Sequence, residues 1–392
     1  MKELIYSKDK KTVVGITDKQ IRQIKIPLGV EVIGEKAFEN CIHLESVEIP
    51  LSVTKIENSA FAGCSSLLEI DLPNSIKSIG EAAFADCNSL QTIDISDSVS
   101  VINEFAFSGC ESLCSIILPP NLTEIKEYTF QNCESLRNIL LPSNLKIIGE
   151  GALRGCFSIA NVDLPNSIEV IGDFAFVGCS NITQIHIPQY VVLIGEGAFY
   201  CESLGKSKLE EISVSKDNVS FTSVDGVLYN KEQTEIVKMP PNKNATKFAL
   251  PESVKSIRSS AFSDCHYLQE VILSPNTKEI GWGAFSFSDS INSIIMSNSV
   301  ERIDDFAFEG TSIKSIEIPS NVIEIGEDIF NECFSLEEIH CKIVDLKKLK
   351  FRDRYGYGLS PHRSCKLFVP AGTRWAYKHH PVFGKFANIE IE

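Results

Sequence analysis

A large apolar residue, almost always phenylalanine, returns every 23 residues along most of this chain, and this period constrains the fold more than any other feature. The residues in this column are Phe38, Phe61, Phe84, Phe107, Phe130, Leu153, Phe176 and Phe199, and after a break Phe262, Phe285 and Phe308. Phe330 follows at 22 residues, because one residue is missing around Thr311. A fixed period of this length is the signature of a solenoid, in which each repeat forms one coil stacked on its neighbours.

Residues 44–66 represent the repeat and predict its local structure. Polar and apolar residues alternate from Ser46 to Ile49, which predicts a strand with one buried face that ends at Pro50. The apolar residues Val53 and Ile56 predict a second short extended segment on another side of the coil. Stacked coils of this kind predict a β-rich α/β solenoid with a parallel sheet and with capped ends.

The segment around the phenylalanine, residues 35–41 in the first repeat, predicts one helical or 3₁₀ turn. A longer helix would not fit, because two extended segments already occupy much of each 23-residue coil.

The phrase IPLSVTKIENSAFAGCSSL, residues 49–67, resembles the BspA-like class of leucine-rich repeats found on bacterial surface proteins. The resemblance recurs about a dozen times and extends over nearly all of residues 21–392. It implies a horseshoe or arc and a protein-binding or adhesive role, and it brings no catalytic residues. The chain departs from the pattern at Leu153 and at the Ser or Thr that replaces Cys near 288 and 311.

Two similar segments outside the regular repeats predict β-hairpins. Residues 4–14 contain two short apolar runs around a polar turn, and residues 227–237 match them, with Tyr229 at the position of Tyr6. The predicted organisation is an N-terminal hairpin cap (1–20), a first block of leucine-rich repeats (21–204), a repeat break with an inserted hairpin (205–247), a second block (248–341) and a C-terminal cap (342–392).

The charge and hydropathy of the chain exclude several functions and locations. A formal net charge of −15 argues against nucleic acid, because binding to phosphates requires clustered Lys and Arg. Membrane insertion is not expected, since no stretch approaches the roughly 18 apolar residues of a membrane span. Met1–Ile16 lacks the apolar block of a signal peptide, so the chain as given is expected in the cytoplasm. The resemblance suggests the alternative, which is a cell-surface or secreted protein.

Nine of the thirteen cysteines occupy one position of the repeat, three residues after the phenylalanine column. They are Cys41, Cys64, Cys87, Cys110, Cys133, Cys156, Cys179, Cys265 and Cys333. Residues at one repeat position point the same way and stack in parallel, so we expect reduced, buried thiols whose S–H donates to a turn carbonyl. A chain of disulfides is the alternative.

The residue patterns that could carry catalysis or metal binding are incomplete. Gly205-Lys206-Ser207 resembles the end of a P-loop, but Tyr200 stands where the first glycine is required. The potential zinc ligands lack the usual spacing: His340, Cys341, His362 and Cys365, with His379 and His380 as a further pair. We therefore predict no enzyme, cofactor or metal, and an enzyme with a site assembled across coils remains as an alternative.

The outward positions of the predicted strands carry the site prediction, because the fold does not determine them. Carboxylates follow one another on adjacent strands, and two exposed aliphatic residues lie beyond them. The predicted binding residues are Glu48, Glu69, Asp71, Asp94, Ile117, Leu140, Asp163 and His186. An alternative interpretation is neutral variation on a tolerant surface.

The predicted function is a non-enzymatic protein-interaction module that binds a partner on the concave sheet. The partner is expected to be a protein or peptide, basic where it meets the acidic residues, and the chain is expected to be a monomer. An adhesin for a host protein or glycan is the first alternative.

Overall fold

The computed structural model describes residues 4–201, 206–352, 358–361 and 364–392. The chain divides into two compact units. Unit 1 comprises Met1–Gly205 and Ser215–Val219, and unit 2 comprises Lys206–Val214 and Ser220–Glu392. Each unit is a β-solenoid of short parallel strands with little helix, which confirms the predicted fold class.

Two rows of strands run through unit 1, on different parts of each coil. The first row, ladder I, contains β3 (Gln23–Lys25), β5 (Ser46–Glu48), β7 (Glu69–Asp71), β9 (Thr92–Asp94), β11 (Ser115–Ile117), β13 (Asn138–Leu140) and β16 (Gln184–Ile187). The second row, ladder II, contains β4 (Val32–Ile33), β6 (Lys55–Ile56), β8 (Ser78–Ile79), β10 (Val101–Ile102), β12 (Glu124–Ile125), β14 (Ile147–Ile148), β15 (Val170–Ile171) and β17 (Leu193–Ile194).

The parallel register of both ladders follows from the repeat. Asp71 pairs with Asp94 and Lys55 pairs with Ser78, each 23 residues apart. The centre of each ladder I strand is buried and its two neighbours point outward, as the alternation predicted. One coil differs, because residues 161–163 form no strand even though Val162 is buried.

The segment around the phenylalanine column is a series of turns, so the predicted helical or 3₁₀ turn is wrong in the repeats. In the first coil the N–H groups of Lys36, Phe38 and Asn40 donate to carbonyls of the next coil, whereas those of Ala37 and Glu39 donate within their own coil. A helix would use all of these donors internally. Because the N–H groups donate in turn to the next coil and to their own coil, the residues two before and two after the phenylalanine column have positive φ. Even Phe105 adopts this conformation, with a φ of 57°.

Aromatic rings form a continuous stack at the centre of unit 1. The rings of Phe38, Phe61, Phe84, Phe107 and Phe130 lie 5.1–5.5 Å apart in nearly parallel planes, and all five are fully buried. Leu153 then interrupts the stack without becoming exposed.

The cysteine column connects each coil to the coil before it. The thiol of Cys64 donates to the carbonyl of Phe38 at 3.2 Å, and the same bond recurs at 3.1–3.3 Å for Cys87, Cys110, Cys133, Cys156 and Cys179. In unit 2 the hydroxyl of Ser288 donates the equivalent hydrogen bond to the carbonyl of Phe262 at 2.5 Å. All thirteen cysteines are free thiols, and Cys114 alone among them is exposed. Burial raises the pKa of Cys64, Cys156 and Cys265 to about 12.

Each unit contains an antiparallel hairpin that pairs with ladder II. In unit 1, β1 (Leu4–Tyr6) pairs with β2 (Thr12–Ile16), and β2 continues in parallel with β4. In unit 2, β20 (Val227–Asn230) pairs with β21 (Glu235–Lys238), which continues in parallel with the next strand, Ser256–Ile257. Tyr6 lies opposite Val13 as Tyr229 lies opposite Ile236, so the two hairpins have the same register. The domain boundaries proposed from the sequence stay predictions.

Unit 2 repeats the two-ladder arrangement. The strands before its hairpin are β18 (Glu211–Val214) and β19 (Phe221–Val224). Its ladder I contains β22 (Lys247–Ala249), β24 (Glu270–Ile272), β26 (Ser293–Ile295), β28 (Ser315–Ile318), β30 (Glu338–Cys341), β32 (Lys366–Val369) and β33 (Asn388–Ile391). Its ladder II contains β23 (Ser256–Ile257), β25 (Glu279–Ile280), β27 (Arg302–Ile303), β29 (Glu324–Ile325) and β31 (Lys350–Phe351).

The C-terminal segment covers the last coil of unit 2. It contains a 3₁₀ turn at Leu346–Lys348, the helix α1 (Arg374–Lys378) and a second 3₁₀ turn at Phe383–Lys385. Tyr377 is buried on α1, and its hydroxyl donates to the carbonyl of Ile343 at 2.7 Å.

Candidate functional site

All eight residues predicted from the sequence are exposed on unit 1. Seven of them lie on ladder I strands, at outward positions next to a buried centre. Asp163 lies on the coil that forms no strand, so its side chain is exposed but the predicted strand is absent. His186, on β16, has its Nε2 3.0 Å from the hydroxyl oxygen of Ser215.

The first three strands of ladder I form a shallow groove of about 570 Å³. Its outward-pointing lining is Gln23, Lys25, Ser46, Glu48, Glu69 and Asp71. This volume lies within the range of small-molecule sites. The structure thus brings three of the five predicted acidic residues, Glu48, Glu69 and Asp71, to one groove.

Lys25 is a member of this site that sequence reasoning missed. Its ammonium forms an ion pair with Glu48, one coil away. Both side chains are largely exposed, so the pair adds little stability, but it offsets one of the negative charges. Its repeat position could have identified Lys25 from the sequence, because Lys25 holds the position of Glu48, Asp71 and Asp94.

The carboxylates of β7 and of the neighbouring strand β9 lack an ion-pair partner in the part of the chain that the structure describes. Within the described ranges, no Lys, Arg or His nitrogen forms an ion pair with Glu69, Asp71 or Asp94. Asp71 and Asp94 are direct register partners, and parallel strands lie about 4.8 Å apart. Two unit charges at that distance repel each other by about 1 kcal/mol in water, so folding alone does not favour this arrangement.

Ile117 and Leu140 continue the same column of outward residues. They are direct register partners, and they are 68% and 62% exposed. Adjacent exposed aliphatic side chains gain nothing from folding, so they form a small apolar surface available to a partner.

A second exposed apolar pair lies at the turns that follow β3 and β5. Leu28 is 85% exposed and Leu51 is 73% exposed, each directly after a proline. Sequence reasoning did not single them out, although polar residues, Asn74 and Asp97, hold this position in the next two coils.

The potential zinc ligands have other contacts. Cys341 is buried, and its sulfur lies 3.1 Å from the hydroxyl oxygen of Tyr377. The ring of His340 stacks on Phe368, and its Nδ1 lies 2.8 Å from a carboxylate oxygen of Glu392. His362 and Gly205 lie outside the described residues, so the zinc and P-loop patterns are not tested there. Among the described residues no group of three or more His, Cys, Asp or Glu is arranged to hold a metal ion.

The helices in the described part of the chain are short. The longest has five residues, and none of them is long and apolar enough to cross a membrane.

Comparison with known families gives one match, to a model described as the BspA type leucine rich repeat region. Six copies of it cover residues 17–137, 100–225 and 241–354. This match extends over well more than half of the chain. No curated protein matches the sequence.

Several solved structures have a similar fold. A leucine-rich cell surface protein from Faecalibacterium prausnitzii is 28% identical, with a TM-score of 0.67, over 99% of this chain and 92% of that one. A leucine-rich repeat protein from Bacteroides ovatus is 23% identical, with a TM-score of 0.62, over 100% and 99%. The pneumococcal vaccine antigen PcpA is 21% identical, with a TM-score of 0.59, over 97% and 91%. The chain therefore resembles bacterial cell-surface leucine-rich repeat proteins over its whole length.

Proposed function

The chain belongs to the BspA-type leucine-rich repeat family, and on that premise we propose that it is a non-enzymatic protein-interaction module. In this proposal a protein partner binds the exposed face of ladder I in unit 1. The observation that carries the proposal is the exposed pair Ile117 and Leu140, next to carboxylates that form no ion pair with any described residue.

The arrangement has the composition of an interaction surface. Binding energy concentrates in a few side chains that become fully desolvated, and polar or charged residues surround them. Ile117 and Leu140 provide an apolar centre of this kind, and Asp94 on the neighbouring strand begins the charged edge. Since all of these side chains point away from the core, the fold does not require their identities.

The test is a comparison of variants against a captured partner. The double variant Ile117→Ser and Leu140→Ser should lose affinity by about 1–2 kcal/mol per residue, mainly through faster dissociation. The matched control is Ile42→Ser, because Ile42 is 48% exposed on a turn of the same unit. Binding and thermal unfolding are measured for both. Undiminished binding by the folded double variant would place the partner on another surface.

A second candidate function is adhesion at the cell surface. It is favoured by the likeness to the Faecalibacterium prausnitzii structure, which is itself described as a cell surface protein. The test is protease treatment of intact cells of the native organism, followed by detection of the protein. Digestion from outside would support the surface location, and full protection in intact cells with digestion after lysis would support the cytoplasmic one.

A further inference from the structure

One column of outward residues carries a charge and hydropathy pattern along unit 1. In order along ladder I, this binding column contains Lys25, Glu48, Asp71, Asp94, Ile117 and Leu140. The parallel outward column is mostly uncharged and hydrogen-bonding: Gln23, Ser46, Glu69, Thr92, Ser115 and Asn138. The charged and apolar groups thus lie on one line, and hydroxyl and amide groups lie beside it.

Resting on the proposed function, we propose that the occupant of this face is an extended, basic segment of a partner protein that crosses the coils along the binding column. Two Lys or Arg side chains of the segment bind over Glu69, Asp71 and Asp94, and one apolar side chain contacts Ile117 and Leu140.

The charges of the groove favour a cationic occupant. Lys25 pairs with Glu48, which leaves three carboxylates on β7 and β9 without a cationic partner among the described residues. Cationic side chains placed there remove the repulsion between Asp71 and Asp94 and form charge-assisted hydrogen bonds.

The spacing of the coils sets the spacing of the occupant's residues. Coils repeat about every 4.8 Å, so the midpoint of Ile117 and Leu140 lies about 12 Å from Asp71 along the column. An extended chain advances about 3.3 Å per residue and covers this distance in three to four residues. Side chains on one face of such a chain recur every second residue, about 6.6 Å apart. Two basic residues with one residue between them therefore span the three acidic side chains.

The uncharged column distinguishes an extended occupant from a helical one. An extended segment presents free main-chain N–H and C=O groups at its sides, whereas a helix satisfies these groups internally. Ser115, Thr92 and Asn138 offer donors and acceptors beside the column, and all three are exposed. These groups complete the hydrogen bonding of an extended chain and have no equivalent use against a helix.

The experiment selects peptides from a random dodecapeptide library displayed on phage, with the whole protein as the target. The centre of Ile117 and Leu140 lies about 10 Å, or about three extended residues, from the midpoint of Asp71 and Asp94. Enriched peptides are therefore expected to contain two basic residues separated by one residue, with an apolar residue about three positions from their midpoint. A synthetic peptide of the enriched sequence is then titrated by fluorescence anisotropy at 50 and 300 mM salt. We expect at least a fivefold weaker affinity at the higher salt, because exposed charges are screened.

Variants locate the bound peptide. Asp71→Lys with Asp94→Lys should weaken its binding at least tenfold at low salt, and Ile117→Ser with Leu140→Ser should weaken it at both salts. Glu111→Lys and Ile42→Ser are the matched controls, since both residues are exposed on turns of unit 1. They should bind the peptide as the original protein does.

The outcomes separate this inference from the proposed function. Peptides that lose binding in the ladder I variants but lack basic residues, or have another spacing, would overturn the inference and leave the proposed function standing. Failure to enrich any peptide would also overturn it, because the occupant would then not be a linear segment. Enriched peptides that bind all ladder I variants equally would contradict both.

Discussion

At the scale of single residues, the repeat position dictates chemistry that differs from that of the same residue type elsewhere. The column thiols are buried, donate to a carbonyl of the previous coil and have raised pKa values. Cys114 lies outside the column and is exposed. Since the thiolate is the reactive form, the two groups are expected to react differently.

Thiol labelling checks this difference. In native buffer we expect one cysteine, Cys114, to react quickly with a small thiol reagent, and the other twelve to react only after denaturation. The Cys114→Ser variant is the control and should show almost no fast reaction. Rapid labelling of several thiols in the native state, or none after unfolding without reductant, would contradict the reduced and buried column.

Stability should fall steeply in alkaline solution. Folding raises the pKa of Cys64, Cys156 and Cys265 from about 9 to about 12. Between these values the unfolded chain has released the thiol protons and the folded chain has not. Each thiol therefore lowers the free energy of unfolding by about 1.4 kcal/mol per pH unit as the pH rises through this window, and below about pH 9 its contribution is constant.

Denaturant unfolding under reducing conditions, repeated at several values from pH 8 to 11, measures this dependence. Cys64→Ser is the informative variant, because Ser288 already makes the equivalent bond in unit 2. Its pH slope above 9 should be smaller by about 1.4 kcal/mol per unit. An unchanged slope would show that this thiol is not kept protonated by the fold.

At the scale of elements, the ends of the ladders are the exposed edges of a solenoid, and unit 2 shows how one of them is covered. β32 pairs with β30, β33 pairs with β32, and Tyr377 packs beside the same strands. An uncovered strand edge with an apolar face promotes aggregation.

Truncation tests the covering role of this segment. A chain that ends at residue 341 should lose solubility and melt at a lower temperature, because Leu336 and Ile339 lose their covering layer. A chain that ends at residue 387 loses only β33 and should be affected much less. Light scattering and thermal unfolding compare the two with the full chain. If the chain that ends at residue 341 behaved like the full chain, the C-terminal segment would not be a cap.

At the scale of the whole molecule, each coil contacts only its neighbours, so stability is approximately a sum over coils and their interfaces. Coil number should therefore be adjustable within unit 1, provided that the period is kept.

Duplication of one repeat tests this modular stability. Insertion of a second copy of residues 67–89 directly after residue 89 keeps every column in register and should give a folded protein with an unchanged or higher melting temperature. The control inserts only residues 67–78, which shifts the phenylalanine and cysteine columns out of alignment. Circular dichroism and thermal unfolding compare them. A full-repeat insertion as damaging as the partial one would contradict additive coils.

The sequence predicted those features that depend on stacking identical positions. Ladder I, the phenylalanine stack and the thiol-to-carbonyl bond all follow once residues 23 apart lie above one another. The positive-φ turns did not follow, because residues such as Phe105 and Ala82 rarely adopt that conformation and only the inter-coil hydrogen bonds favour it there. The pair between Lys25 and Glu48 depends on two flexible side chains, which periodicity does not constrain.

The short coil at Thr311 has a consequence for how such a chain can vary in length. The missing residue falls between Thr311 and Ile313, yet Ile313 is buried and the rings of Phe308 and Phe330 still stack at 5.7 Å. The hydroxyl of Thr311 donates a hydrogen bond to the carbonyl of Phe308 in its own coil, so a bond within the coil stabilises this corner. A one-residue deletion is thus absorbed at this corner while the stack of rings continues. The same corner of each coil is the natural place to graft a short loop or an epitope.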